Sequence, residues 1–138
     1  MNDIVRIGKI STIDYEAGTA SVVYTDRNNE PSPNFPFFSL FYEMPKLDDT
    51  VVVLLLPNST TRGFILGVPF SKKKIPFKSG KNIFYKKFHD GTHILYDSEK
   101  KTMEITANHI LIKGRLKAET IEADSLIVKE IIIKEKDT

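Results

Sequence analysis

From Ile105 to Ile133 the apolar residues come in pairs, and the pairs recur every five residues. Ile110 with Ile112, Leu116 with Ala118, Ile121 with Ala123, Leu126 with Val128 and Ile131 with Ile133 make up the series, and Ile105 with Ala107 extends it backwards. The step is six only at Gly114. Within a pair the spacing is two, as in a strand. Placed at 100° per residue, the later positions spread right round a helical wheel and form no face. A heptad frame leaves several of them outside the a and d sites. One long strand fails too, because a step of five turns the apolar set to the opposite face at each repeat. The pattern that fits is a stack of very short strands, each followed by a corner, whose members need neighbours to bury their apolar side.

Two apolar residues in five, some of them alanine, do not enclose a core within one chain of this length. Three chains wound about a common axis do. Residues 89–138 are therefore expected to form an intertwined triple-stranded β-helix in a homotrimer. Its axial core would be Ile105, Ile110, Ile112, Leu116, Ala118, Ile121, Ala123, Leu126, Val128, Ile131 and Ile133. Glu119, Glu122, Asp124, Lys129 and Glu130 would sit at the corners, facing water.

Residues 1–70 have a different rhythm. Ile4 to Asp14 is rich in β-branched residues, Glu16-Ala17-Gly18 is a turn, and Ala20, Val22 and Tyr24 alternate with Ser21, Val23 and Thr25. This predicts a hairpin, with Gly8 marking a bulge or bend in its first strand. Arg27 to Asn34 is turn chemistry, and the proline-broken Phe35-Pro36-Phe37-Phe38 is expected along an edge. After a turn at Pro45 to Asp49, Val51 to Leu56 reads as a strand buried on both faces. A turn over Pro57 to Thr61 and a strand over Arg62 to Val68 complete the half. About five strands with a bent first member fit a small closed barrel of the OB type. The expected fold class is thus all-β, an OB barrel followed by the trimeric β-helix.

Between them, residues 71–88 carry seven lysines and no acid, against five basic and eight acidic groups in residues 1–71. The composition suits a linker or an extended crossing segment. Lys72, Lys73, Lys74, Lys78, Lys81, Lys86 and Lys87 alternate with Phe70, Phe77, Phe84, Tyr85 and Phe88. Aromatic platforms with a basic groove bind single-stranded nucleic acid on OB barrels, which makes such binding the alternative function. However, these residues follow the barrel half, and that half is net negative. No nucleic acid is expected as a partner.

Catalysis and metals find little footing. Asp48-Asp49 and Asp90 could supply carboxylates, but no partner base, nucleophile elbow or glycine-rich phosphate loop accompanies them. His89 and His93 are four apart, yet Asp90-Gly91-Thr92 breaks any helix between them, and His109 stands at a corner. The chain has no cysteine, which excludes disulfides and thiolate sites. No catalytic residue, cofactor or metal ligand is expected. Residues 97–138 hold no Phe, Tyr or Trp, which suits a smooth shaft rather than a carbohydrate-binding fibre tip. The N-terminus lacks the charged head and apolar stretch of a secretory signal, and no apolar run reaches membrane-helix length. Synthesis and retention in the bacterial cytoplasm are expected.

Three stretches carry a resemblance: Val5-Arg6-Ile7-Gly8-Lys9-Ile10, Pro45-Lys46-Leu47-Asp48-Asp49-Thr50-Val51-Val52-Val53-Leu54, and Arg62-Gly63-Phe64-Ile65-Leu66-Gly67. With His89-Asp90-Gly91-Thr92 before Ile94-Leu95-Tyr96-Asp97, they resemble the baseplate assembly protein V family, the short tail spikes of contractile phages and phage-tail-like bacteriocins. The chain is more distantly similar to type VI secretion spike proteins. The second stretch departs in having Asp48-Asp49 where the family has a glycine-aspartate turn. The resemblance implies a barrel docked on the baseplate hub and a β-helix driven through the target cell envelope on sheath contraction. It places the chain at the tail tip of a virion or tail-like particle. Some members end in a His-x-His pair holding iron. This chain has no such pair, so a blunt tip, or one covered by a separate capping protein, is expected.

Overall fold

A computed structural model describes residues 4 to 135. Among them the regular elements are nine β-strands and a single 3-10 turn, with no α-helix, and the paired strands are antiparallel. The chain divides into two compact units, Met1–Lys78 and Ser79–Thr138.

In the first unit, β1 (Val5–Asp14) turns back into β2 (Thr19–Tyr24). The Asp14 side chain accepts from Ala17 N at 3.0 Å and its carbonyl from Gly18 N at 3.0 Å. Gly18 sits at φ +69, a conformation that glycine adopts without steric cost. Asn28 and Asn29, both left-handed, reverse the chain into β3 (Glu30–Pro31). Then come β4 (Phe35–Pro36), β5 (Thr50–Leu55) and β6 (Gly63–Gly67).

The pairing makes a ring. The first half of β1 pairs with β5, from Val5 opposite Leu54 to Lys9 opposite Thr50, and its second half pairs with β2. β5 pairs with β6, and β2 pairs with β4. Just past β4, Phe37 forms a parallel bridge to Ile65 of β6, and Phe38 N donates to Ile65 O at 2.9 Å. The hydrogen-bonded path thus runs β1–β2–β4–β6–β5 and returns to β1. Inside it lie Ile10, Ala20, Val22, Tyr24, Phe35, Val51, Val53, Leu55 and Ile65, all buried.

Three expectations change here. The bulge in β1 falls between Ile10 and Thr12, not at Gly8. Gly8 is needed for close approach: a Cβ there would overlap the Val22 side chain and stand 2.9 Å from Val23 O. Within β5, Val51, Val53 and Leu55 are buried while Val52 and Leu54 are only partly covered, so one face dominates. Phe35 to Phe38 is no edge; it lies between β2 and β6 and closes the ring.

In the second unit, β7 (Ile83–Lys87), β8 (His93–Asp97) and β9 (Thr102–Thr106) form a three-stranded antiparallel meander. Residues 83–87 are expected within the linker; this Ile-Phe-Tyr-Lys-Lys stretch instead makes a strand, because β8 supplies a paired edge. Residues 71–80 are exposed throughout, as a crossing segment requires. No described residue of the second unit is buried.

Candidate functional site

Beyond β9 the backbone stays extended and bends at Asn108, Gly114, Glu119, Asp124 and Lys129. The steps between bends are six, five, five and five, the same rhythm as the apolar pairs. The six-residue step ends at Gly114, whose φ of +153 suits glycine alone. Three of the five expected corner residues, Glu119, Asp124 and Lys129, stand at bends; Glu122 and Glu130 lie on the straight segments.

The later straight segments between bends have four residues, Arg-Leu-Lys-Ala, Thr-Ile-Glu-Ala and Ser-Leu-Ile-Val, and Glu-Ile-Ile-Ile opens the stretch after Lys129. In each the second and fourth members are the paired apolar residues, which an extended backbone points the same way. From Asn108 to Glu135 every residue is exposed. Leu116, Ile121 and Leu126 retain 68%, 69% and 70% of their accessible surface, values that leave an apolar stripe in water. Ile105 lies on β9, half exposed; Ile110, Ile112, Ala118, Ala123, Val128, Ile131 and Ile133 lie on the bending segment. Among the described residues no strand pairing and no backbone hydrogen bond involves Asn108 to Glu135. Extended backbone with unpaired donors and acceptors on both sides offers two edges for pairing with other chains.

Leu111, Ile127 and Ile132 fall between the paired positions and were not singled out by the five-residue rhythm; Ile127 is 98% exposed. On the barrel, the loop Phe38 to Tyr42 is likewise exposed and apolar, borders a groove of about 250 Å³ and is tied down by Tyr42 OH donating to Tyr15 O at 2.9 Å. Its turn-like setting between prolines hid it in the sequence.

The other candidates serve local structure. The Asp49 carboxylate accepts from Lys46 N at 2.9 Å, and Asp48 N donates to Ile10 O at 2.9 Å, so this turn docks on β1. Asp48 is left-handed at φ +67, which explains why glycine suits such a position. The Asp90 carboxylate accepts from Thr92 N at 3.1 Å, and that bonding holds its pKa below the usual carboxylate value. The His93 ring lies 5.4 Å from that of Tyr85, with Nδ1 3.0 Å from Gly91 O. Among the described residues no three His, Asp or Glu side chains are placed to hold a metal ion.

The lysine block is divided. Lys72, Lys73, Lys74 and Lys78 belong to the first unit and Lys81, Lys86 and Lys87 to the second. Lys86 and Lys87 point to opposite faces of β7, and Lys86 Nζ lies 5.7 Å from the Phe88 ring centroid. In the first unit Arg6 stacks over Tyr24 at 5.0 Å, and among the described residues no group accepts from or donates to the buried Tyr24 hydroxyl in good geometry. Burial raises the Tyr24 pKa, partly offset by Arg6 and Arg27.

Compared with protein-family models and with curated proteins, the chain matches none. No described helix is long and apolar enough to cross a membrane.

Proposed function

We propose that this chain is the central spike of a phage-type contractile tail baseplate, a homotrimeric mechanical part with no catalytic role. The observation that carries the reading is the segment after β9: five-residue bends, an apolar pair on each straight segment, and a backbone without partners. Three copies around an axis cover those pairs and pair those edges at once. The resulting rod resists axial load through inter-chain hydrogen bonds and a dry core.

The ring of the first unit supports the OB reading. β1, β2, β4, β5 and β6 close with a bulged first strand shared between two neighbours, and among the described residues the one parallel bridge joins Phe37, just past β4, to Ile65 of β6. In the proposed particle the barrel docks on the baseplate hub, the tip is blunt or covered by a separate capping protein, and the shaft meets the target envelope when the sheath contracts.

Immunogold labelling of contractile tails from the producing bacterium tests the proposal. Label is expected at the distal end of the baseplate, on the tail axis. Tails that carry the label elsewhere, or none while the protein is abundant, would refute it.

A further inference from the structure

We infer that the sheet β7–β8–β9 is a register key: its apolar face packs against the same face of two further copies and sets the axial alignment in which the five-residue series assembles. The inference rests on the trimer reading and goes beyond it, since the series alone was read as the assembly surface.

Strand register places Phe84, Tyr96 and Met103 side by side in one row, and Lys86, Ile94 and Ile105 in the next row of the same face. Phe84 and Met103 are each 64% exposed. The opposite face is mixed: Ile83, Tyr85 and Leu95 lie there among Lys87, His93, Asp97, Thr102, Glu104 and Thr106, and across β9 it is wholly polar. The face of Phe84, Tyr96, Met103, Ile94 and Ile105 is the more apolar of the two, a three-stranded sheet with such a face needs a cover to be stable, and no described residue of this unit is buried.

Continuity identifies the cover. Ile105 belongs both to this face and to the five-residue series, and Ala107 follows two residues on. The apolar series therefore continues along the chain from the sheet, across the bend at Asn108, to Ile110 and Ile112. Whatever covers the series covers the sheet, and the series is covered by copies of itself.

The series also needs a key. Its pairs are all drawn from Ile, Leu, Val and Ala. Sliding one chain by five residues puts Ile121 and Ala123 where Leu116 and Ala118 stood, and nearly every apolar position still meets another. Repetitive strands of this kind specify register weakly. Gly114 marks a single phase, and it has no side chain to make a mismatch costly. The row of Phe84, Tyr96 and Met103 occurs once, has no counterpart five residues away, and loses its cover in any slipped assembly.

The absence of cysteine allows a clean test in the full-length chain. Ser125→Cys carries one nitroxide per chain, and pulsed electron double resonance reads the distances between chains while light scattering reads the mass. The parent is expected to be a trimer with one narrow distance. Adding Tyr96→Ala and Met103→Ala is expected to produce a second, longer distance or to abolish the trimer. A one-repeat slip carries a label up to about 17 Å along the chain. Adding Thr102→Lys and Glu104→Lys instead, on the opposite face, is expected to leave the trimer and its single distance. An unchanged narrow distance in the Tyr96/Met103 variant overturns the register key while leaving the trimer standing. Equal disturbance from the Thr102/Glu104 variant overturns the choice of face. A parent that is monomeric, with no inter-chain distance, removes the trimer reading itself.

Discussion

Leu126→Ala tests how much one layer of the proposed shaft contributes to assembly. The change removes three carbons, worth about 2.4 kcal/mol for complete burial at about 0.8 kcal/mol per carbon. Leu126 is 70% exposed in the single chain, so the part that trimerisation covers is worth about 1.7 kcal/mol per chain. Three chains lose about 5 kcal/mol together, which weakens the trimer association constant by a factor of about several thousand. Any cavity left on the axis adds to that loss. Leu126→Asp goes further, setting three carboxylates around one axis without partners, and should abolish the trimer. Glu122→Lys, on the outward side of the neighbouring segment, should change little. Sedimentation equilibrium over a dilution series reads all three. A Leu126→Ala protein that dissociates at the same concentration as the unmodified chain, or a stable Leu126→Asp trimer, would refute the axial assignment.

Other predictions concern the barrel. Gly8→Ala should destabilise the first unit by about 1–3 kcal/mol, since its methyl group has nowhere to go between β1 and β2; thermal unfolding would show it. Asp48→Gly should match or exceed the stability of the unmodified chain, whereas Asp48→Ala should lose about 1 kcal/mol, because a left-handed residue without a compensating side chain is strained; denaturant titration separates them. Tyr24 has a raised pKa in the folded state, so its contribution is fully present below the unfolded value near 10 and is lost as pH rises through the folded value. Tyr24→Phe should therefore flatten the alkaline limb of the stability profile, followed by unfolding at several pH values.

The sequence made parts of this molecule legible and hid others for identifiable reasons. The strand at Val51 to Leu55 showed because an uninterrupted run of β-branched and leucine residues has few other uses. The hairpin after Asp14 showed because Glu16-Ala17-Gly18 breaks two alternating segments. β7 looks like linker in the sequence because its flanking lysines dominate the local composition; only pairing with β8 makes Ile83, Phe84 and Tyr85 a strand. β3 was lost inside turn chemistry, being two residues long and ending in proline. Ring closure through Phe37 is out of reach of the sequence, since Pro36 directly precedes the pair Phe37-Phe38 whose amides donate to Gly18 on one side and Ile65 on the other. The bends fell on the expected rhythm because each apolar pair occupies one straight segment. The outlying Ile127 and Ile132 escaped because a rule of two apolar positions per repeat has no place for a third.

The central claim is that residues beyond the barrel assemble three chains. Light scattering on the full-length protein and on residues 1–78 measures it directly. The account predicts three chain masses for the full-length protein and one for the barrel alone. A full-length protein with a single chain mass would contradict it and leave a barrel with an exposed basic segment, for which binding of single-stranded DNA is the next measurement.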